Sequence, residues 1–417
     1  MTEPALEQLA CRVRAASREV ARSSGSVRDD ALRVAADLLE AEWESLVEAN
    51  RGDLARAESG GMAASAQDRL RLDEARVRAM AAGLRGVAAL ADPVGEVVEG
   101  WVRPNGLRVT RVRVPLGVVG VIYENRPNVT SDAAGLCLKA GNAAFLRGSG
   151  SALASNQAVV ALLRRAVAKA GLPEDAVALV EDTSHEAALG FMRLRGLIDC
   201  LIPRGGPALI ATLIEHATVP YVLDGDGNCH VYVDGAADLA MALDVAVNAK
   251  THRFGVCNAA ETILVHAAVA DEFVPRLAGA LGAAGVEIRG DERVRGLAPG
   301  AVAAEERDFA TEYLGPTVAV AVVADLVAAI DHIARYSSGH SEAIVTGDVR
   351  AADRFVAEVD AAAVLVNAST RFIDGEELGL GAAVGISTQK LHARGPMGVR
   401  ELTSVKWVVR GDGQVRR

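Results

Sequence analysis

The residue with the most chemistry to offer is Cys257, at the end of Asn248-Ala-Lys-Thr-His-Arg-Phe-Gly-Val-Cys257. Three residues that carry or can take positive charge, Lys250, His252 and Arg253, precede it within one short stretch. Nearby cations favour the thiolate and can bring a cysteine pKa from about 8.5 down to roughly 4–7. The thiolate is the form that attacks carbonyl carbon and makes covalent intermediates. A free cysteine is also a small hydrophobe that packs well in a core. On residue types alone both readings of Cys257 stay open.

Two glycine turns could cradle a phosphate or ribose, Arg147-Gly-Ser-Gly150 and Arg204-Gly-Gly206. Each follows a strand-like run and precedes a helix-like run. That is where free N–H groups and a positive dipole end meet an anion. Neither is a Gly-x-Gly-x-x-Gly fingerprint, because Leu153 stands at the third position, and there is no Walker A motif. Paired glycine turns are also ordinary connections. Asp224 and Asp226 could pair for acid–base work, but Asp224-Gly-Asp-Gly-Asn228 reads first as a turn. His216, His230, His252 and His266 are isolated in spacing, and no metal site is expected.

These residues must be held by α/β elements. Residues from about 4 to 92 read as helices: Leu6, Leu9 and Val13, then Ala31, Val34, Ala35, Leu38 and Leu39, recur at helical spacing. Asn105-Gly106 between β-prone flanks predicts a hairpin. From Gly117 strands alternate with helices: strands at 117–123, 143–146, 176–180, 198–202, 219–223 and 230–233, with helices at 130–140, 152–170, 185–194, 208–216 and 239–250. After Cys257 come strands at 262–265, 318–323, 343–346 and 363–366 and helices at 270–284, 325–336 and 350–358. A last strand covers 404–410. Alternation of this kind predicts parallel sheets covered on both faces.

Composition narrows the function classes. A formal net charge of -10 argues against a nucleic-acid-binding face. No apolar run reaches the roughly 18 residues of a membrane helix. Five scattered cysteines without a CxxC pair predict neither a disulfide framework nor a zinc site. The start lacks an apolar signal core, so a cytoplasmic location is expected.

Several segments resemble one family in order along the chain: Val118-Val-Gly-Val-Ile-Tyr-Glu-Asn-Arg-Pro-Asn128, Leu138-Lys-Ala-Gly-Asn142, Pro203-Arg-Gly-Gly206, Asn248-Ala-Lys250 and Gly255-Val-Cys-Asn-Ala-Ala-Glu-Thr262. They look like the gamma-glutamyl phosphate reductase (glutamate-5-semialdehyde dehydrogenase) family of the aldehyde dehydrogenase superfamily. The resemblance spans roughly residues 5–410. It implies NADPH-dependent reduction of L-glutamyl 5-phosphate to L-glutamate 5-semialdehyde with release of phosphate, the second step of proline synthesis from glutamate. It makes Cys257 the nucleophile that forms a thioester and Asn125 the side-chain oxyanion donor. For the cofactor it implies Arg147, Gly148 and Ser149 near the adenosine ribose, with the Arg147 charge favouring a 2′-phosphate. Gly205 and Gly206 would lie beside the pyrophosphate and Glu312 on the nicotinamide ribose. Lys250 and Arg253 are expected to meet anionic substrate groups.

The resemblance also implies an NADPH-binding domain at 1–124 with 144–250, a catalytic domain at 251–375, and an oligomerisation element from 125–143 with 376–417. A homodimer or homotetramer is expected, with Val405–Val409 available to a partner's sheet edge, and glutamate 5-kinase is a candidate partner. Two departures stand out. Phe254 replaces a proline frequent in the family. The superfamily's water-activating glutamate is not evident, Asp224 lying only near its place. The alternatives are an aldehyde dehydrogenase that hydrolyses its thioester to a free acid and a non-catalytic scaffold of the same fold.

Overall fold

A computed structural model describes residues 3–416. The chain forms two compact units. The first comprises residues up to Leu223 with Leu380–Gly385 and the chain from Met397 onward; the second comprises Asp224–Gly379 with Ile386–Pro396. The division therefore falls at Leu223/Asp224 rather than at 250/251.

The first unit opens with helices α1 (Glu3–Val20), α2 (Gly25–Ala41), α3 (Trp43–Ser59), α4 (Ala64–Leu70) and α5 (Glu74–Ala89). Their starts follow capping chemistry: Ser24 accepts from the Val27 N–H and Asp73 from the Arg76 N–H. Leu6, Ala10 and Val13 of α1 are buried, as are Ala31, Leu32, Ala35 and Leu39 of α2, each set forming one helical stripe. The hairpin follows as β1 (Val97–Val102) and β2 (Arg108–Pro115), with Gly106 at φ 87° in the turn. Next come β3 (Val118–Tyr123), α6 (Pro127–Lys139), β4 (Ala143–Arg147), α7 (Leu153–Lys169), β5 (Val177–Leu179), α8 (His185–Met192), β6 (Cys200–Arg204) and α9 (Pro207–His216).

Four of these strands make a parallel sheet in the order β5-β4-β3-β6. Every residue of β3 is buried, as a parallel strand covered on both faces requires. The carboxyl ends of β3, β4 and β6 run directly into Glu124-Asn125, Arg147-Gly148-Ser149 and Arg204-Gly205-Gly206. Parallel pairing thus gathers the three candidate loops at one end of the sheet.

The C-terminal strand, Thr403–Arg410, pairs antiparallel with β2 and forms one edge of a three-stranded ribbon. The ribbon leaves Trp101, Val102, Trp407 and Val409 exposed. Residues 125–143 do not join it. They form α6, packed on α5 and α7 within the first unit. The strand expected at 219–223 is reduced to one bridge, Leu201 to Tyr221. Pro220 there has no N–H to extend a ladder.

The second unit is built from β7 (Cys229–Val233), α10 (Leu239–Thr251), β8 (Ala260–His266), α11 (Ala270–Ala283), β9 (Glu287–Gly290), α12 (Glu292–Leu297), β10 (Val302–Ala303), β11 (Thr317–Val323), α13 (Leu326–Tyr336), β12 (Ser341–Val345), α14 (Val349–Glu358) and β13 (Ala363–Val366). Its parallel sheet has the order β10-β9-β11-β8-β7-β12-β13. The elements β9, α12 and β10 are absent from the sequence expectation. They are short, and Glu287, Arg289 and the charges of α12 hide the few buried positions Ile288 and Val294. Asp238 caps α10 by accepting from the N–H groups of Ala240 and Met241. The chain then leaves α10, turns through residues 252–259 and enters β8, which puts Cys257 on a loop between a capped helix and an inner strand.

Candidate active site

Within the second unit the Cys257 loop is held by its backbone while its side chain stays half-buried. The Cys229 thiol donates to the Cys257 carbonyl at 3.1 Å. The Asn258 amide donates to the Ile373 carbonyl at 2.8 Å, and the Thr370 hydroxyl donates to the Asn258 carbonyl at 2.7 Å. Gly227 lies directly against the loop: a Cβ placed on it would stand 1.7 Å from the Cys257 carbonyl oxygen and 2.5 Å from its Cα. Only glycine permits that approach. Burial pushes the Cys229 thiol well above its ordinary pKa, so this second cysteine stays a neutral donor.

The charged groups around the loop differ in role. Arg253 is exposed. Arg371, which sequence reasoning missed, is half-buried and donates to His252 Nδ1 at 3.3 Å. Burial first, and then the Arg253 charge, hold its pKa below the usual guanidinium value, and its field also reaches Cys257. Arg371 lies 114 residues along the chain from Cys257 and belongs to no spacing pattern a single sequence offers.

Lys250 is fully buried and its ammonium is committed to Glu261 at 2.5 Å, also fully buried. Burial lowers the Lys250 pKa, and burial raises the Glu261 carboxyl to about 7 against the pull of Lys250. Lys250 therefore does not present its charge to an anion as the sequence expectation had it. The pair organises the next loop instead. The pairing of β7 with β8 slips between Cys229 and His230, leaving Glu261 as the extra residue of a bulge. A bulge re-aims a side chain, and Glu261 accepts from the Leu314 N–H at 3.2 Å. Leu314 takes the left-handed backbone, φ 50°. Two residues earlier, Glu312 accepts from the Gly227 N–H at 2.8 Å, its carboxyl pKa raised by burial. One network thus ties Lys250, Glu261, Glu312, Gly227 and the Cys257 backbone together. Asp224 accepts from the Ile386 N–H at 2.7 Å, a long-range anchor rather than a bond within a local turn. Phe254, in place of the expected proline, packs its ring on the core of this unit.

Within the first unit, Asn125 turns the chain from β3 to α6 in the left-handed region, φ 38°. Arg147 folds back, donating from Nη2 to the carbonyls of Thr183 and Ser184, each at 2.9 Å. Burial holds its pKa below the usual guanidinium value. Gly148 and Gly150 are packed closely by the protein itself: a Cβ would stand 2.1 Å from Asn156 Nδ2 at Gly148 and 3.0 Å from Thr183 Oγ1 at Gly150. The Arg147 Nε and Asn156 Nδ2 groups are buried with no protein acceptor among the described residues. At the third loop the Gly206 N–H donates to Glu124 at 3.1 Å, and a Cβ on Gly206 would meet nothing within 4 Å. The first turn of α9 carries no side-chain cap. The open face of Gly206, an uncapped helix start and orphaned buried donors fit a bound anionic dinucleotide. Among the described residues there is no cluster of three or more His, Cys, Asp or Glu side chains suited to a metal.

The model of the aldehyde dehydrogenase family matches residues 1–305. A gamma-glutamyl phosphate reductase from Moorella thermoacetica is 55% identical over 406 residues, 97% of each chain. The chain belongs to the gamma-glutamyl phosphate reductases. One from Thermobifida fusca is 53% identical over 411 residues, covering 99% of this chain and 98% of its own. The crystal structure of a gamma-glutamyl phosphate reductase from Thermotoga maritima aligns with a TM-score of 0.97 at 46% identity, over 99% of this chain and all of that one. The fold is thus that of an aldehyde dehydrogenase, and the protein is an oxidoreductase of this reductase family. No described helix is long and apolar enough to cross a membrane.

Proposed function

We propose that this protein reduces L-glutamyl 5-phosphate to L-glutamate 5-semialdehyde and phosphate, using NADPH, in proline synthesis from glutamate. The observation that carries the reading is the Cys257 loop of a gamma-glutamyl phosphate reductase, its backbone pinned and its half-buried thiol within the field of Arg371, which Arg253 neighbours in turn. The arginines favour the thiolate. The thiolate attacks the acyl carbon, the carbon–oxygen bond to phosphate breaks, and a thioester to Cys257 remains. Arg253 and Arg371 compensate the charge of the departing phosphate.

Arg147, Gly148, Gly205, Gly206 and Glu312 would hold the cofactor. The chemistry a bound NADPH supplies is a hydride for the thioester carbonyl carbon. Asn125 Nδ2 and the Cys257 N–H donate to the oxygen as it gains charge, a contribution worth about 3 kcal/mol per donor. The carbon–sulfur bond then breaks, releasing the aldehyde and the Cys257 thiolate. In this reading the first unit binds the nucleotide and the second carries the nucleophile. The antiparallel ribbon, with an edge strand and exposed Trp101 and Trp407, serves a homo-oligomer. Five free cysteines agree with a cytoplasmic location.

A hydrolytic dehydrogenase needs a free carboxylate to activate water. Here Glu261 is committed to Lys250 and the Leu314 N–H, and Glu312 to the Gly227 N–H. The test runs the reaction in reverse, following NADP⁺ reduction by glutamate 5-semialdehyde with and without phosphate. Strict dependence on phosphate, lost in Cys257→Ser, is expected. Equal rates without phosphate would mean hydrolysis, and a folded wild type inert in both would mean a scaffold.

A further inference from the structure

We infer that Ser149 and Ser151 are positioning residues that fix the Asn125 amide so that its Nδ2 is the group offered to an oxyanion. The inference rests on the reading of Asn125 as oxyanion donor and takes Ser149 out of the cofactor cradle. Both hydroxyls sit on the same side-chain oxygen. Ser149 Oγ donates to Asn125 Oδ1 at 3.0 Å, and Ser151 Oγ makes a short hydrogen bond to the same atom. The two hydroxyls lie 2.8 Å apart, and the Asn125 N–H donates to Ser149 Oγ at 3.2 Å. The acceptor end of the amide is thereby filled, while no hydrogen bond engages Nδ2 among the described residues.

The local backbone shows that this use of the serines is particular. Ser149 precedes the 3₁₀ turn Gly150–Ala152 in extended conformation, φ -75° and ψ 156°. A serine there ordinarily caps the turn by accepting from one of its N–H groups. Ser149 makes no such cap; its hydroxyl is turned to Asn125 instead. Asn125 itself occupies a left-handed backbone position that few side chains tolerate. Backbone and side chain are thus both constrained. An amide free to rotate would present Oδ1 to a developing negative charge in part of the population, and Oδ1 repels it. Two hydroxyl donors on Oδ1 remove that orientation.

The test compares Ser149→Ala, Ser151→Ala and their double variant with Asn125→Asp, a replacement that tolerates the left-handed turn and accepts from both serines but cannot donate when ionised. Phosphate-dependent NADP⁺ reduction is measured, with thermal unfolding as the check on folding. Asn125→Asp is expected to lose 10²–10³-fold in kcat, in the range found for removal of an oxyanion donor. Each serine variant is expected to lose about five- to tenfold in kcat, the scale of one hydrogen bond, with the KM for NADP⁺ unchanged. Ser149→Thr and Ser151→Thr, which keep the hydroxyl, should recover most of it. Added to Asn125→Asp, the serine changes should cost nothing further. Wild-type kcat with a raised KM for NADP⁺ would return Ser149 to the cofactor cradle and overturn the inference. An undiminished serine effect in the Asn125→Asp background would do the same. Wild-type kcat in Asn125→Asp itself would overturn the oxyanion reading, and the positioning role with it.

Discussion

Replacing Gly227 with alanine tests how tightly the nucleophile loop is placed. The backbone at Gly227 is not in the left-handed region, so the change strains no torsion; its effect is steric. The added Cβ would lie 1.7 Å from the Cys257 carbonyl oxygen, where real Cβ contacts essentially never fall under 3.0 Å. The Gly227 turn or the Cys257 loop must therefore shift by at least about 1.3 Å. The opposing atoms are backbone and cannot rotate away as a side chain would. The Cys257 loop is in turn tied through Asn258 to the Ile373 and Thr370 segment, and the Gly227 N–H is tied to Glu312. The displacement is therefore shared between the nucleophile and a cofactor-binding candidate. A misplacement of about 1 Å in a reacting group can cost 10²-fold, or roughly 2.7 kcal/mol of barrier. Phosphate-dependent turnover of Gly227→Ala should fall by at least that factor. Gly225→Ala is the control: its Cβ meets Thr388 Cγ2 at 2.2 Å and Oγ1 at 2.7 Å, and Thr388→Ala, which removes both atoms, should relieve it. Gly227→Ala with wild-type kcat and unfolding midpoint would refute the claim that this glycine sets the position of Cys257.

Three further outcomes follow from the same geometry. Lys250→Met or Glu261→Leu alone leaves one buried charge unpaired and should destabilise the protein by about 3–5 kcal/mol in urea unfolding, whereas the double variant should come within about 1 kcal/mol of wild type. Burial raises the Asp132 carboxyl to about 6, against hydrogen bonds from Asn128 and Ser131. A raised carboxyl pKa favours folding below the unfolded value and loses that contribution as pH rises through about 6, so Asp132→Asn should gain on wild type between pH 4 and 8 by up to roughly 3 kcal/mol; a constant difference across that range would contradict the assignment. Arg253→Ala and Arg371→Ala should each raise the KM for phosphate in the reverse reaction about tenfold, the scale of one charge-assisted hydrogen bond, and unchanged KM values would remove them from the phosphate site.

How much of this was legible beforehand depends on the range of the interaction. Alternating apolar runs such as Val118–Tyr123 and Thr317–Val323 announce buried parallel strands, because their burial follows from local hydrophobicity. Asn105-Gly106 announces the hairpin for an equally local reason. What single-sequence reading misplaced is set by distant partners. Lys250 looks like a free cation beside a cysteine, and only the Glu261 bulge shows it buried. Arg371 reaches the site through the fold of the second unit. Gly227 reads as a turn glycine, and its contact with the Cys257 carbonyl depends on how the residues before β7 pass the loop before β8. The compact second unit follows its sheet and takes in β7 and α10, which the boundary implied by resemblance at 250/251 leaves out.

The central claim, that Cys257 carries the acyl group, is tested most directly by one turnover without phosphate. Enzyme at micromolar concentration is mixed with NADP⁺ and glutamate 5-semialdehyde, and NADPH absorbance is followed while the intact protein is weighed by mass spectrometry. The account predicts a burst of one NADPH per active site, a glutamyl adduct on the Cys257 peptide, and no further turnover until phosphate is added. Steady NADPH production without phosphate, or a full burst from Cys257→Ser, would contradict it.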